Sequence, residues 1–414
     1  MPPETCIHQS PATASQSLQP ATPFVGLAPF LRQSIAGIDL QPAAQAMLAS
    51  AESRPNDANL WLNLSIAMLC LGHRELGLAI QEQALEIKRV YHLPASIEPA
   101  RFRLLMLMAP GDLAENTPLD CLLEHSDVDL IFYFVSPGFP LAQPIPEHDA
   151  LLVAIADSDA NQSLLTFLEQ ALAHWPRPVV NPAQHIPNTE RSAASRILQD
   201  APGVLMPPTH RLARQQLEAI AGGRAALADL ENGLDFPVIV RPLGSQAGRD
   251  LELIGDHEVL AGYLAKVEAS DFFVSRFIDY SSPDGQFRKF RIALIGGLPF
   301  ACHMAVSSHW MVHYVNAGMY EDGTKREEEA DFMAGFDAFA SRHRDALATI
   351  HQRMKLDYFC IDCAEARDGR LLIFEADHVM VVHAMDQEDL FPYKQAHMQK
   401  VQRAFRDFLF GLSA

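Results

Sequence analysis

The chain has 414 residues and a formal net charge of −19, from 51 acidic and 32 basic residues. This length allows two or three domains, and the hydrophobic fraction of 49% is that of an ordinary globular protein. The acidic balance argues against non-specific nucleic-acid binding, and no run approaches the roughly 20 apolar residues of a membrane span.

The N-terminal residues 1–26 are predicted to form a disordered tail. They are rich in Ser, Thr, Pro and Gln, and they lack the cationic start and apolar core of a signal peptide. The six cysteines are spread along the chain, and a second CxxC pair that would complete a zinc site is missing. We therefore expect reduced thiols in a cytoplasmic protein.

Residues 27–95 are predicted to form a helical cap. Asp57 or Asn59 can begin one helix, Gly72 interrupts the run, and a second amphipathic helix follows. Five residues resemble the tetratricopeptide pattern of a paired-helix repeat: Trp61, Leu64, Met68, Gly72 and Ala84. One full copy and half of a preceding copy are visible, whereas a free-standing array needs about three. The cap is therefore expected to pack on the body of the protein or on a second subunit in a homodimer.

Strands alternate with helices after the cap. RLLMLMAP, VDLIFYFVS and ALLVAIAD are apolar runs that end in turn residues, which is typical of buried parallel strands. They predict a small α/β domain over residues 101–205. A helix over 211–221 and antiparallel strands follow, then a long helix over 327–355 and a last helix over 394–410. The predicted fold class is α/β, with an α+β C-terminal part.

The segment YFCIDCAEARDGRLLIFEADH, residues 358–378, predicts a β-hairpin. Asp368-Gly369 is a strong two-residue turn signal, so that Arg367 should face Arg370. Counting back along both strands places Asp362 opposite Glu375. Four apolar residues are predicted to point to the other face, into a core: Phe359, Ile361, Phe374 and Ala376.

Three carboxylates are expected on the polar face of this hairpin. Asp377 follows Glu375 by two residues and therefore shares a face with Glu375 and Asp362. Directly opposed like charges destabilise a sheet, and a cation between them would remove that cost. Carboxylate oxygens suit Mg²⁺, above all one that is shared with substrate phosphates. The alternative is an exposed acidic hairpin without a ligand.

Four segments, in this order, resemble the ATP-grasp superfamily. FPVIVRPLGSQAGRDLELI is similar to the first grasp strand and its phosphate loop, and FFVSRFIDY to the adenine hinge. RKFRIALIGG is similar to the strand after the hinge, and DCAEARDGRLLIFEAD to the magnesium hairpin. The resemblance covers about residues 102–410. It implies a pre-ATP-grasp α/β domain at 101–205 and an ATP-grasp domain at 206–412. Within the latter, the lid covers about 206–280 and a large antiparallel metal-binding subdomain about 281–412.

The resemblance assigns the phosphate contacts to a loop of small residues. The loop comprises Gly244, Ser245, Gln246, Ala247 and Gly248. Without bulky side chains, its backbone N–H groups can approach triphosphate oxygens closely, although such loops are also common as structural turns. The strand lysine of the family is matched here by an arginine, Arg241, which can hold phosphate oxygens bidentately.

The hinge residues implied by the resemblance are Arg276, Phe277 and Ile278, whose backbone would bind adenine. Asp279, with Asp284 as the alternative, would hold the ribose hydroxyls. An ordinary edge strand would give the same sequence pattern.

A basic group precedes the next strand and is implied to be catalytic: Arg288, Lys289 and Arg291. Lys289 and Arg291 share a strand face, and the family places an arginine at the Arg291 position near the transferred phosphate. Such a charge stabilises phosphoryl transfer. The alternative is a solvated basic turn.

His313, Asn316 and His378 are the candidate substrate residues. HYVNAGM resembles the family's segment near the acceptor substrate. A lone histidine is, however, more often a packing residue than a catalyst.

The resemblance implies an ATP-dependent carboxylate ligase with Mg²⁺, or alternatively Mn²⁺, on Asp362, Glu375 and Asp377. ATP would phosphorylate a small-molecule or peptide carboxylate, and an amine or another nucleophile would attack the acyl phosphate. Two alternatives remain. The module could act as a kinase that stops at phosphoryl transfer, or as a nucleotide-binding interaction protein that works through its cap.

Overall fold

The computed structural model describes residues 22–137, 141, 144–230, 233–245 and 248–412. It is a mixed α/β structure with three sheets. The α-helices are α1 (Ala28–Ile35), α2 (Gln41–Ser53), α3 (Ala58–Cys70), α4 (Arg74–Ile87), α5 (Leu119–Leu122), α6 (Gln162–Leu172), α7 (Arg191–Leu198), α8 (Arg214–Ala221), α9 (His257–Lys266), α10 (Gly323–Ala334), α11 (Phe336–Arg342), α12 (Arg344–Met354) and α13 (Lys394–Gly411). The strands are β1 (Val90–Leu93), β2 (Phe102–Met108), β3 (Val128–Phe134), β4 (Ala150–Val153), β5 (Val179–Val180), β6 (Val204–Leu205), β7 (Thr209–Ala213), β8 (Val238–Pro242), β9 (Glu252–Ile254), β10 (Asp271–Arg276), β11 (Phe287–Ile295), β12 (Leu298–Ser307), β13 (Tyr358–Glu365) and β14 (Leu371–Asp377).

The first sheet has the strand order β1-β3-β2-β4-β5. Strands β3, β2, β4 and β5 are parallel, and they contain the apolar runs that predicted buried parallel strands. Every residue of β3 and β4 is buried, as expected for a sheet covered on both faces. Strand β1 adds antiparallel to β3 at the edge, although the sequence predicted helix there. Its pairing partner is remote in sequence, so local pattern could not show it.

The helical cap packs on this first sheet. Asp57 begins α3 as predicted, accepting a hydrogen bond from the Leu60 amide at 3.2 Å. Trp61 and Leu64 lie in the same buried cluster as Phe132 on β3. The cap therefore docks on the body, which is one of the two arrangements expected from its apolar face.

The predicted limit of the tail at residue 26 is wrong. Residues 1–21 lie outside the described part, but residues 22–26 contact the cap. The hydroxyl of Thr22 donates to Asp57 at 2.7 Å, and Phe24 is 3% exposed. Phe24 packs edge-on against Phe132, so its aromatic ring is buried. The polar composition of the segment as a whole had predicted disorder.

Deletion of residues 1–88 is expected to abolish soluble, monodisperse protein, because it uncovers Phe132 and other side chains of the buried cluster that the cap shares with β3. Deletion of residues 1–21 is the control and is expected to change neither solubility nor particle mass, since that polar segment lacks apolar periodicity. Light scattering measures both. A cap-less protein that stays monodisperse at the expected monomer mass would contradict the packing role.

The second sheet, β7-β10-β8-β9, is antiparallel and is covered by α8 and α9. Residues 209–213, which overlap the predicted helix over 211–221, are strand β7, because they pair with β10. The third sheet has the order β12-β11-β13-β14-β6 and is antiparallel except for β6. The single helix predicted over 327–355 is also wrong. It is divided into α10, α11 and α12, with Gly335 ending the first and His343 ending the second.

The hairpin of β13 and β14 contains the predicted pair of Asp362 with Glu375, but its loop and its register differ from those predicted. Its loop has three residues rather than two, because the Ala366 amide donates to the carbonyl of Arg370 and Gly369 has φ +83°. This shifts the register by one residue near the turn. A β-bulge between Asp362 and Cys363 then shifts it back, so that Asp362 does pair with Glu375.

The bulge also reverses the direction predicted for Phe374. Phe359, Ile361 and Ala376 lie together in one buried core, as expected. Phe374 instead contacts Tyr280, with the ring centroids 4.9 Å apart. The extra residue in the bulged strand turns two successive side chains, Phe374 and Glu375, towards the same cleft.

Strand alternation correctly places two cysteines of the hairpin in different cores. Cys360 lies in the core shared with the cap, and Cys363 lies in the core on the other face. The five cysteines among the described residues form no disulfide. In the same part of the chain, no helix has the length and apolar character needed to span a membrane.

Candidate functional site

A cleft lies between the second and third sheets. Strands β8 and β10 form one wall, and β13 and β14 form the other. The start of α7 and the loop after β12 close its ends. Its apolar lining includes Met206, Ile239, Leu251, Phe277, Trp310 and Phe374. Met311 and Val312, which follow Trp310 in the loop after β12, line the cleft as well.

Asp362 lies at the base of the cleft and is 3% exposed. Lys289 Nζ donates to Asp362 Oδ2 at 2.9 Å, and Arg291 donates from Nε to Oδ1 at 2.8 Å and from its Nη2 to Oδ2 at 3.1 Å. Burial raises the pKa of Asp362, but the charges of Arg291 and Lys289 outweigh burial and hold that pKa well below its usual range. Lys289 and Arg291 share a face as predicted, and both act as counterions of one carboxylate.

Glu375 is also paired with a cation. Its carboxylate accepts a hydrogen bond from Arg191, the first residue of α7, and the two side chains are 30% and 22% exposed. Arg191 lines the cleft but was not predicted. It lies 184 residues before Glu375 in the chain, so no local pattern in the sequence links the two.

The three predicted metal carboxylates are not preassembled around one point. Asp362 and Glu375 are paired across the two strands, but Lys289 and Arg291 already neutralise the first and Arg191 the second. Asp377 lies next to His378, with Asp377 Oδ1 and His378 Nδ1 3.4 Å apart. Within the described residues, no group of three or more His, Cys, Asp or Glu side chains is arranged to hold a metal ion. Mg²⁺ usually binds one or two carboxylates together with substrate phosphates rather than a complete protein cage. Glu375 and Asp377 are partly exposed and fit this way of binding Mg²⁺. Asp362 is buried and already paired with two cations, so it does not.

Arg241 lies in the wall of the cleft, on β8. Its guanidinium donates to the carbonyl of Ser245, which ties the strand to the phosphate-type loop. Burial, followed by the nearby charge of Arg191, lowers the pKa of Arg241 to about 10. Its Nε is buried and has no hydrogen-bond partner among the described residues. An anion in the cleft would satisfy this donor.

Gly244, Ser245 and Gly248 of the predicted phosphate loop do not line the cleft, but Gly248 lies beside His313, which does. Gly244 and Gly248 have φ of +72° and +71°, and a Cβ on Gly248 would come within 2.7 Å of the His313 ring. The loop and the candidate acceptor segment therefore meet, and glycine is required at their contact. Gln246 and Ala247 lie outside the described residues. Ser245 is 8% exposed, and its hydroxyl donates to the carbonyl of Arg249.

The predicted hinge lines the cleft through Arg276, Phe277 and Ile278. The Arg276 and Phe277 amides donate to the carbonyls of Pro208 and Pro237, at 3.2 and 3.3 Å. Ile278 is the one of the three whose amide makes no bond to another described residue. Of the backbone donors that the resemblance implied for adenine, the Ile278 amide is therefore the one left without an acceptor among the described residues.

Three predicted site residues lie away from the cleft. Arg288 pairs with Asp284 and Glu328, on the opposite face of its strand from Lys289. Asp279 pairs with Arg367 at the hairpin turn. The exposed Asn316 side chain accepts from the amide of His313 and shapes its own loop. Alternation explains the first case, and local ion pairing or turn formation explains the other two.

Two candidate substrate histidines are buried or half-buried near the cleft. His313 lines it, and burial, reinforced by the charge of Lys289, lowers its pKa. His378 is 0% exposed, and its Nε2 donates to the carbonyl of Ile155 at 3.0 Å. Neutral imidazole is thus favoured at His313, while His378 ties the end of β14 to the first sheet.

Comparison with known proteins finds structural likeness without sequence likeness. No family model and no curated protein matches the chain. The D-Ala:D-Ser ligase VanG from Enterococcus faecalis is similar over 76% of this chain and 99% of its own, with 12% identity and a TM-score of 0.46. A RimK domain ATP-grasp protein from Sphaerobacter thermophilus aligns over 75% of this chain and 100% of its own, with 17% identity and a TM-score of 0.40. The D-alanine–D-alanine ligase of Bacillus anthracis aligns over 75% and 97%, with 12% identity and a TM-score of 0.41. At these identities and scores, the function has to be argued from the site itself.

Proposed function

We propose that the chain is an ATP-grasp enzyme that uses ATP to couple a carboxylate to a nucleophile, releasing ADP and phosphate. Four sequence segments in the order of that superfamily support the proposal, together with a cleft that is lined by residues from all four segments. The cleft offers an apolar slot beside a group of cations, which suits the base and phosphates of a nucleotide.

One observation carries the proposal. In a chain of net charge −19, four basic side chains line one cleft: Arg191, Arg241, Arg276 and Lys289. A fifth, Arg291, pairs with Asp362, which also lines the cleft. Arg241 is buried with an unbonded Nε, and a buried donor without a partner is costly. Phosphate oxygens would supply both the acceptor and the negative charge. Without an anionic ligand in the cleft, burial of the unpaired Arg241 Nε would only cost free energy.

The position of each residue in or beside the cleft indicates its role in the proposed reaction. Arg241 and the phosphate loop would hold the triphosphate, while Lys289 and Arg291, fixed by Asp362, would face the charge that develops during transfer. A substrate carboxylate oxygen attacks the γ-phosphorus, the bond to ADP breaks, and an acyl phosphate forms. The nucleophile then attacks the acyl carbon, and phosphate leaves. Mg²⁺ entering with the nucleotide would be held by Glu375 and Asp377 and would neutralise phosphate charge.

A kinase is the second candidate, because the same contacts would serve phosphoryl transfer without ligation. The two differ in product. A ligase yields a new bond and free phosphate, whereas a kinase retains the phosphoryl group on the product.

Arg241 variants test nucleotide binding. Replacement by Ala is expected to weaken binding of a non-hydrolysable ATP analogue about tenfold to a hundredfold, because a charged hydrogen bond to phosphate is lost. Replacement by Lys keeps a point charge without the guanidinium fork and is expected to weaken it less. Isothermal titration calorimetry gives the ranking, with Arg211→Ala as a control, since that guanidinium pairs with the exposed Asp159 and does not line the cleft. Equal affinity in wild type and both Arg241 variants would contradict the assignment.

A further inference from the structure

The three carboxylates that the resemblance assigned to a metal differ in their free oxygens. Asp362 Oδ2 accepts from Lys289 Nζ at 2.9 Å and from Arg291 Nη2 at 3.1 Å, while Oδ1 accepts from Arg291 Nε at 2.8 Å. A carboxylate oxygen has two lone pairs, so both acceptor positions of Oδ2 are filled. Because Asp362 is buried, an entering metal ion would have to displace one of the two cations.

Glu375 and Asp377 each keep one free oxygen. Glu375 pairs with Arg191 through Oε1, and Asp377 Oδ1 accepts from the Val379 amide at 3.2 Å. Glu375 Oε2 and Asp377 Oδ2 accept no hydrogen bond from the described residues. The two side chains are partly exposed and lie two residues apart on β14, on the same face of the strand. They can therefore bind one divalent ion together without loss of the pair with Arg191.

Lys289 has hydrogen-bond donors to spare beside the buried carboxylate. It lies on β11 and lines the cleft, and its side chain is mostly buried. An ammonium group has three N–H donors, and Asp362 is the one acceptor that Lys289 binds among the described residues. Two donors are left for the oxygens of a ligand. In a cleft that holds a triphosphate, this group would neutralise phosphate charge as a metal ion does.

A metal ion on Asp362 and the ammonium group of Lys289 compete for the same oxygen. Mg²⁺ lies about 2.1 Å from its carboxylate oxygens. Bound to Oδ2, it would be at most about 5 Å from Lys289 Nζ, which lies 2.9 Å from that oxygen. Like charges at this distance repel each other more strongly in a protein than in water, because the dielectric constant is lower. Lys289 thus occupies the position that a cation on Asp362 would need.

We infer that Lys289 takes the place of a metal ion at Asp362, so that the nucleotide is bound with one Mg²⁺, on Glu375 and Asp377, and not with two. This inference rests on the proposed ATP-dependent function. The carboxylates of one hairpin then have two different roles. Asp362 orients Lys289 and Arg291, which belong to the chain, whereas Glu375 and Asp377 bind an ion that enters with the nucleotide.

Electron paramagnetic resonance can count bound Mn²⁺, which shares the preference of Mg²⁺ for oxygen ligands. The full-length protein and a non-hydrolysable ATP analogue are mixed in equal amounts, above the dissociation constant found by calorimetry, and Mn²⁺ is titrated in. One Mn²⁺ per complex is expected for wild type, and a count of two would overturn the inference. Glu375→Gln should weaken binding of this ion about tenfold or more, because a charged ligand is lost.

Lys289→Ala is the most informative variant, because it frees a lone pair of Asp362 Oδ2 and removes the competing charge. Its complex is expected to bind a second Mn²⁺, and the additional substitution Asp362→Asn should return the count to one. Arg291 still neutralises Asp362, so Lys289→Ala is expected to fold, which circular dichroism checks. Lys266→Ala is the control, because that exposed lysine of α9 does not line the cleft. A count of one in Lys289→Ala, or of two in Lys266→Ala, would overturn the replacement.

The inference and the proposed function can fail separately. If the analogue does not bind wild type in calorimetry with Mg²⁺ present, the proposed function is overturned. If the analogue binds wild type together with two Mn²⁺, only the inference about Lys289 is overturned.

Discussion

Asp362→Asn is expected to lower the free energy of unfolding by about 3 to 5 kcal/mol, because it leaves the buried Lys289 and the partly buried Arg291 without their counterion. Asp362 is 3% exposed, and Lys289 and Arg291 both bind its carboxylate. The substitution keeps the size of the side chain and removes only its charge. Urea unfolding followed by circular dichroism measures the change. A loss below about 1 kcal/mol would contradict the central position of this carboxylate.

Two comparisons make the result specific. Asp337→Asn, on the exposed surface of α11, is expected to change stability by about 0.5 kcal/mol or less. Asp362→Asn combined with Lys289→Met should recover part of the loss, since one uncompensated charge is removed.

The pH dependence of this difference follows from the lowered pKa of Asp362, in which the charges of Arg291 and Lys289 outweigh burial. A carboxylate whose folded pKa lies below its unfolded value contributes its stabilisation fully above the unfolded value, about 3.9. The contribution is lost as the pH falls through the folded pKa. The gap between wild type and Asp362→Asn should therefore be constant from about pH 7 to 5 and narrow only below about pH 4.

Glu375→Gln is expected to reduce turnover about a hundredfold or more, because a phosphate-site ligand loses its charge. Its effect on stability should be a loss of about 1 kcal/mol or less, from the broken pair with the partly exposed Arg191. From the sequence alone, relief of the repulsion between Asp362 and Glu375 was expected to leave stability unchanged or raise it slightly. The three cations remove that repulsion and reverse the expected sign.

Glu328→Gln is the matched control for this variant. It makes the same chemical change in an exposed ion pair with Arg288, outside the cleft. Phosphate release with ATP and Mg²⁺ measures turnover, and chemical unfolding measures stability. Wild-type turnover in Glu375→Gln would remove the hairpin from the active site.

The hairpin shows how far local sequence patterns lead. The pairing of Asp362 with Glu375 was predicted correctly, although the loop length assumed was one residue too short and the bulge at Phe374 was not foreseen. The two errors cancel for this pair and not for Phe374. Turn residues and alternation fix most of a hairpin, whereas a bulge depends on packing that local sequence does not show.

Tertiary contacts account for the remaining differences. Arg191 belongs to the first half of the chain, and only the folded arrangement brings it to the hairpin. Arg288 and Lys289 are adjacent in sequence, but on a strand they point to opposite faces. Lys289 therefore binds Asp362, whereas Arg288 binds Glu328 outside the cleft.

Product analysis tests the central claim most directly. The full-length protein is incubated with ATP, Mg²⁺ and a mixture of candidate carboxylates and primary amines, and the products are analysed by mass spectrometry. The predicted result is ADP, free phosphate and a new compound whose mass is the sum of two substrates less water, all absent with Glu375→Gln. A phosphorylated product without condensation would show a kinase. AMP and pyrophosphate, or an ATP level unchanged by the protein, would contradict the account.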